Sequence, residues 1–336
     1  MMKRPISVTA AGVLVLISVH IAPLVADQPT LILVQGAAGA DEYGTQFTQW
    51  RTRWQQAGEK GGAKVIFIGP GGKAPAEADS NQVSDDRIRL EKTLAAEAKE
   101  SPRELWLVLI GHGTYDGKLA RFNLEGPDVS ADELAAWLKP VERPVAIINC
   151  ASSSGPFMAK LTGENRVIVT ATRSGHELNF ARFGDHLSSA IGDITADLDK
   201  DGQTSLLEAY LFASRKTQTW YAEESRLATE HALLDDNGDG LGTPADWFRG
   251  VRAVKQAQDG GKLDGFRASQ WCLVRSERER AMPAELRAKR NELELKIAAL
   301  REKKPTMQED AYYAALESLV VQMAKIAEAV ESEARP

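Results

Sequence analysis

Only two cysteines occur in 336 residues, so no disulfide framework holds this chain together. Cys150 and Cys272 act singly or as one pair. Basic residues are also in deficit: 41 Lys and Arg face 47 Asp and Glu, a formal net charge of -6. Without Lys3 and Arg4 the basic count drops to 39 and the balance to -8. No dense basic stretch offsets that balance, which argues against a nucleic-acid partner. The five histidines form no cluster with zinc-ligand spacing. After residue 26 no segment is apolar enough to span a bilayer. What is present is 43% hydrophobic and 26% charged residues. That excludes a disordered or collagen-like chain and allows a sizeable core, in one large domain or two modest ones.

The first 26 residues read as an address. Lys3 and Arg4 precede ISVTAAGVLVLISVHIAPLVA, which ends in small residues near Ala26. A positive start, an apolar run and a cleavable end describe a secretory signal peptide. The alternative is an uncleaved membrane anchor, because Pro5 to Ala26 is about long enough to cross a bilayer. On either reading the remainder is exported, to the periplasm or beyond the cell, where conditions are oxidising. A Cys150–Cys272 disulfide is then an alternative to two free thiols.

Five short apolar runs read as buried strands: TLILVQG (30–36), KVIFIG (64–69), LWLVLIGHG (105–113), PVAIINC (144–150) and RVIVTA (166–171). They are rich in Val and Ile and lack polar alternation, as strands covered on both faces do. Helical patterns lie between them. Phe47, Trp50 and Trp54 share one stripe, and Ile88, Leu90 and Leu94 another. Ser130-x-x-Glu133 reads as a capping box opening a third helix. This alternation predicts an α/β fold with a parallel sheet in three layers. FRASQWCLV (266–274) is expected to return to the sheet as a sixth strand, and 69–82 reads as a surface loop.

Beyond Pro283, Leu286, Leu293, Ile297 and Leu300 form one helical stripe, and Leu316, Leu319, Met323 and Ile326 another. Thr306-x-x-Glu309 reads as a second capping box. Glu285–Lys289 and Glu292–Lys296 supply i,i+4 pairs. A hairpin of two amphipathic helices is expected, packed as an appendage or serving self-association as a coiled coil. The resulting division is 1–26 signal, 27–192 core, 193–262 acidic-loop segment, 263–280 returning strand and 281–336 helical hairpin.

Functional groups of a parallel sheet collect beyond the carboxyl ends of its strands. Two strands here end in chemically competent residues: one in His112-Gly113, the next in Cys150-Ala151-Ser152-Ser153-Ser154-Gly155. A nearby imidazole would make the Cys150 thiol a useful nucleophile. Gly113 and Cys150 could offer their amide N–H groups to a substrate oxygen. Taken singly, a strand-end Cys is usually a small core residue and a His before Gly a turn residue. The conjunction of the two, 38 residues apart and in the order His-Gly then Cys, raises the functional reading.

That conjunction resembles the caspase-like fold of clan CD cysteine peptidases, and most closely the legumain-type family, over residues 30–190. The resemblance implies a three-layer caspase-like sandwich and a cysteine endopeptidase acting on a peptide or protein substrate. It assigns His112 as general base, Cys150 as nucleophile and Gly113 as oxyanion donor. The chain departs from the pattern where the family has an acidic residue and Ala before the Cys, for here Ile148 and Asn149 stand there. It also lacks the family's pocket Arg after the first strand, where Asp41 and Glu42 occur instead. Those carboxylates, with Arg173, Glu177 and Asp185 after the fifth strand, are the substrate-pocket candidates.

The segment DLDKDGQTSLLE (197–208) has Asp197, Asp199 and Asp201 at loop positions 1, 3 and 5, Gly202 at 6 and Glu208 at 12. This is the EF-hand calcium pattern, with Gln203 supplying its backbone carbonyl. DDNGDGLGTPAD (235–246) repeats it less fully with Asp235, Asn237, Asp239, the Leu241 carbonyl and Asp246. Ca2+ is therefore the expected ion, structural or activating rather than catalytic, since hard oxygen ligands suit calcium. The rival to an endopeptidase is a non-catalytic, calcium-dependent interaction module on the same scaffold.

Overall fold

In a computed structural model, residues 28–72, 85–98, 101, 103–255 and 261–333 are described. The expected signal segment, most of the 69–82 loop and residues 256–260 lie outside them. Among the described residues twelve strands run in chain order: β1 (Thr30–Gln35), β2 (Lys64–Ile68), β3 (Leu105–Ile110), β4 (Gly113–Tyr115), β5 (Ala120–Phe122), β6 (Val129–Ser130), β7 (Val145–Asn149), β8 (Arg166–Thr170), β9 (Leu233–Asp235), β10 (Thr243–Pro244), β11 (Phe248–Arg249) and β12 (Arg252–Ala253). The helices are α1 (Asp41–Lys60), α2 (Asp86–Ala96), α3 (Ala131–Leu138), α4 (Gly155–Leu161), α5 (Phe183–Ala190), α6 (Leu206–Glu223), α7 (Glu277–Ala281), α8 (Ala284–Lys303) and α9 (Glu309–Glu333).

The main sheet has the order β10-β9-β8-β7-β3-β1-β2. Strands β2, β1, β3, β7 and β8 are parallel, and β9 and β10 add an antiparallel edge. All five expected strands are present. Each is apolar on both sides because successive side chains enter opposite layers. Trp106, Val108 and Ile110 of β3 join Phe47, Trp50 and Trp54 of α1 and the residues of α5 and α6. Leu105, Leu107 and Leu109 join α2, α3 and α4 on the other face. The result is a three-layer α/β sandwich with a mainly parallel sheet. Trp50, Trp54 and Trp106 are fully buried, and truncating any one to Ala would cost roughly 3–5 kcal/mol.

The chain passes from β1 to β2 on one side, then returns to place β3 on the other side of β1. Right-handed crossovers therefore put α1 and α2 on opposite faces. The carboxyl ends of β1 and β3 flank the point where the strand order reverses, which is the ligand crevice of open α/β sheets. The candidate residues lie there.

Local signals hold where they are backbone-deep. Ser130 and Glu133 form the expected capping box, and α6 opens on another made by Ser205 and Glu208. Three expectations are corrected. Ile88 faces outward, while Leu90 and Leu94 carry the α2 stripe inward. The 266–274 stretch is not a strand: Ala268–Gln270 is a 3-10 turn. Its Trp271, Cys272 and Leu273 are buried, and the Trp271 carbonyl accepts from the Leu206 amide at 2.7 Å. That bond ties the stretch to the start of α6 instead of to a sheet edge. Thr306 forms no capping box, for it lies in a 3-10 turn and its hydroxyl donates to the Lys303 carbonyl.

The C-terminal helices α8 and α9 form the expected hairpin, with Leu293, Ala298, Tyr312 and Ile326 buried. Glu292 and Lys296 pair at 2.5 Å; Glu285 and Lys289 form no ion pair among the described residues. The hairpin is fastened to the body by Gln270, whose amide donates to the Asn291 carbonyl at 2.9 Å. Arg290 adds an ion pair to Glu279 at 2.5 Å. No helix among the described residues is long and apolar enough to cross a membrane.

Candidate active site and cation loops

The chain leaves β3 through Gly111, where a Cβ would lie 3.0 Å from the Phe122 ring. His112 follows, with its ring among Tyr43, Phe47 and Phe180 at centroid distances of 4.9, 5.2 and 6.0 Å. Its Nε2 lies 3.1 Å from the Ala38 carbonyl oxygen, in the loop after β1. A carbonyl only accepts, so Nε2 carries the proton and the neutral ring keeps its lone pair on Nδ1. Burial holds the imidazole below its ordinary value of 6.5, with the Ala38 bond opposing in part. A neutral, oriented imidazole at a strand end is equipped to act as a general base.

Gly113 touches the next strand's exit directly. Its amide donates to the Ser152 hydroxyl at 3.3 Å, and that hydroxyl donates to the Gly113 carbonyl at 3.1 Å. A Cβ on Gly113 would lie 2.3 Å from the Ser152 carbonyl oxygen, so only glycine allows this approach.

Cys150 lies on the same face of the sheet as His112 but one layer inward. Its amide donates to the Leu109 carbonyl at 2.9 Å, extending the β3–β7 ladder, and so is not free for a substrate oxygen. Its side chain is 1% exposed and packs where Gly184 meets Trp50. A Cβ on Gly184 would fall 2.8 Å from the Cys150 Cβ and 2.6 Å from the Trp50 ring. Burial, with the Glu230 carboxylate second, pushes the thiol up to about 12. No hydrogen bond joins it to His112 among the described residues. Both cysteines are free thiols, so the alternative disulfide is not formed.

The turn after Cys150 is built from small hydroxyl residues. Ser153 has φ 55°, a left-handed conformation that costs a non-glycine residue roughly 1–2 kcal/mol. Its hydroxyl is buried without a hydrogen-bond partner among the described residues, and its amide donates to the Glu177 carbonyl at 2.9 Å. Ser154 shares a 3.1 Å hydrogen bond with Thr172, and a Cβ on Gly155 would fall 2.4 Å from the Arg173 carbonyl carbon. The segment after β8 is thereby fastened over the turn.

The pocket candidates divide. Asp41 and Glu42 are exposed in the first turn of α1, three and four residues after the Ala38 that holds His112. Glu177 is not an open pocket carboxylate. Its Oε1 meets His231 Nδ1 at 2.6 Å, and its Oε2 accepts from the Arg173 amide at 2.9 Å. Arg173 lies outside, its side chain 61% exposed and 3.3 Å from Glu177. Asp185 pairs with Arg53 of α1 at 2.6 Å. Of the five, Asp41 and Glu42 have no ion-pair partner among the described residues, and Glu177 and Asp185 serve to fasten segments.

The first acidic loop converges. Ligand atoms of Asp197, Asp199 and Glu208 all lie within 4.8 Å of one another. Asp197 Oδ2 accepts from the Gly202 amide at 3.1 Å, so the position-1 carboxylate closes the turn at position 6. Asp199 Oδ1 accepts from Asp201, and Asp201 Oδ1 from Gln203. Desolvation, then neighbouring carboxylates, raises Asp199; desolvation is also the main cause for Asp201. Oxygen donors that converge and repel suit a divalent cation. The residues fit calcium, with Glu208 first having to release the Leu198 amide it holds at 2.7 Å.

The second loop repeats the local turn, Asp235 Oδ2 accepting from Gly240 at 3.1 Å. Thr162 also donates to that oxygen at 2.6 Å. Asp235, Asp239 and Asp246 do not bring their carboxylates together as the first loop does, among the described residues. Beside it lies a buried pair that spacing alone did not reveal, Asp236 and Asp264. Burial and the Asp236 carboxylate push Asp264 up to about 8. Asp264 accepts from the Asp236 amide and the Thr243 hydroxyl, while Asp236 accepts from the Gly265 and Ala268 amides. The pair fastens 264–268 onto the loop.

Comparison with family models and with curated proteins finds no match. Among solved structures the chain is similar to the Drosophila initiator caspase Dronc, at 12% identity over 62% of this chain and 79% of that one, TM-score 0.40. It is also similar to caspase-1 from Spodoptera frugiperda, at 10% identity over 62% of this chain and 86% of that one, TM-score 0.36.

Proposed function

We propose that this chain is an exported, calcium-braced hydrolase of peptide bonds, its chemistry centred where β1, β3 and β7 end. One observation carries the reading: the Ala38 carbonyl holds Nε2–H of a neutral His112. This leaves Nδ1 as the base at the topological switch point, beside Gly113 and the small-residue turn. His112 takes the proton of the attacking group, and an N–H at the Gly113 turn stabilises the oxygen of the acyl intermediate. Asp197, Asp199, Asp201, Glu208 and the Gln203 carbonyl would hold calcium, which would neutralise their repulsion and stiffen the entry to α6. Attack by Cys150, the nucleophile expected from the resemblance, would first require its thiol to leave the core and ionise from about 12.

A mixed peptide library, digested with and without calcium and read by mass spectrometry, tests the reading. Cleavage is expected, with His112→Ala slower by about 10²–10⁴-fold. Cleavage unaffected by His112→Ala, or no cleavage in either condition, removes the hydrolase. The second reading, a non-catalytic calcium-dependent interaction module, is favoured by the closure of the turn, where Ser152 is 4% and Cys150 1% exposed. It predicts no cleavage of any peptide.

A further inference from the structure

We infer that Ser152, rather than Cys150, is the nucleophile of this site; the inference rests on the hydrolase reading above. The Ser152 hydroxyl is the side-chain group hydrogen-bonded to the residue that follows His112. It contacts both the amide and the carbonyl of Gly113. The thiol two residues earlier lies in the core against Gly184 and Trp50. The neighbouring hydroxyls are placed otherwise: Ser154 is bonded to Thr172, and Ser153 is buried with its amide on Glu177. The left-handed backbone of Ser153 breaks the chain direction immediately after Ser152, which is itself 4% exposed and turned onto the Gly113 backbone. Strained turns of this kind cluster at functional sites.

The same contacts describe a resting state. The Ser152 hydroxyl sits on the Gly113 amide, where the oxygen of a substrate carbonyl would bind. The Ser152 amide N–H bonds to no described residue, so it is a second donor available to that oxygen. Rotation of Ser152 about its Cα–Cβ bond frees the Gly113 amide and carries the hydroxyl away from the Gly113 carbonyl. Catalytic hydrogen bonds in unliganded enzymes commonly tighten only when substrate is bound. In the step itself, Ser152 Oγ forms a bond to the acyl carbon as its proton passes to His112 Nδ1. The carbonyl electron pair moves onto oxygen, held by the two amides. Collapse breaks the C–N bond, and His112 returns the proton to the leaving amine. Water then attacks the acyl-serine ester through the same base, regenerating Ser152 and releasing the acid.

The test uses the full-length protein with calcium and a biotinylated fluorophosphonate, which bonds an activated serine oxygen through phosphorus and expels fluoride. Peptide mapping is expected to place the adduct on Ser152, in wild type and in Cys150→Ala alike. Ser152→Ala is expected to lose the adduct and about 10³-fold or more of peptide cleavage. Ser152→Cys, which keeps the turn's size, is expected to be alkylated by iodoacetamide at position 152, guarding against a failure of Ser152→Ala to fold. An adduct on Ser153 or Ser154, or cleavage by folded Ser152→Ala at the wild-type rate, overturns the inference. If folded Cys150→Ala alone loses cleavage, the inference fails and the hydrolase stands. If wild type is neither labelled nor active, both fall.

Discussion

His112 Nε2 and the Ala38 carbonyl oxygen lie 3.1 Å apart across the carboxyl ends of β3 and β1. The bond orients the ring and selects its tautomer, while the aromatic wall of Tyr43, Phe47 and Phe180 removes water from one side. Burial thereby favours the neutral imidazole.

The first prediction is the acid limb of the activity. Because the pKa in the folded protein lies below 6.5, the base stays unprotonated to lower pH than a free imidazole. The kcat/KM profile is expected to fall only as pH drops through a midpoint below 6.5. A midpoint at or above 6.5 contradicts the assignment. Folding stability carries the same sign: protonating this ring disfavours the native state, so its contribution declines as pH falls below 6.5.

Glycine 184 offers a packing test. A methyl group there would meet the Trp50 ring at 2.6 Å and the Cys150 Cβ at 2.8 Å, on a helix whose surroundings are closed. Gly184→Ala is expected to cost about 1–3 kcal/mol in chemical denaturation. The penalty of Gly184→Ala should be smaller in a Trp50→Leu background, which lacks the ring that the new methyl group meets at 2.6 Å. An equal penalty in both backgrounds would mean that the indole does not define the space.

Asp199→Asn separates the two roles of the first loop. Removing one of the mutually repelling carboxylates is expected to leave the chelated protein as stable as wild type or slightly more so. In calcium the same variant is expected to show a smaller rise in melting temperature. Wild type at a hundredfold excess over Kd should gain about 2.7 kcal/mol. No calcium-dependent rise in wild type would remove the ion from this loop.

Glu97 joins three segments, accepting from Thr30 at 3.1 Å, Lys64 at 2.7 Å and Arg143 at 2.8 Å. Desolvation raises its pKa, yet the donors together win and the net shift is downward from 4.5. Its stabilisation is therefore present above the unfolded value and lost as pH falls through the lower folded one. Arg143→Met leaves a buried carboxylate short of its partner and is expected to cost about 3–5 kcal/mol in urea denaturation. It should also flatten the acid-side loss of stability. An effect under 1 kcal/mol would assign the pairing to surface behaviour.

The five parallel strands, the Ser130–Glu133 cap, the α1 stripe and the first acidic loop were legible because each is encoded locally. Strand burial, helix period and Asx-turn chemistry act over a few residues, so composition and spacing reveal them. Ile88, the 266–274 stretch and Thr306 depart from their sequence patterns because apolar spacing or a short motif does not say which surface is present to receive it. Leu90 and Leu94 found the sheet and Ile88 found solvent; Trp271 found the start of α6 and not a free strand edge.

The site shows the same boundary at higher resolution. The sequence places an imidazole and a run of thiol and hydroxyl side chains at adjacent strand ends, since those residues follow directly from the apolar runs. Which side chain of Cys150-Ala151-Ser152-Ser153 meets His112-Gly113 depends on where the β7 ladder stops and the left-handed Ser153 begins. Direction alternates in a strand and is reset in a turn, so one residue separates a thiol in the core from a hydroxyl on the Gly113 amide. That reset came from packing between β3, α5 and the segment after β8, which are distant in sequence.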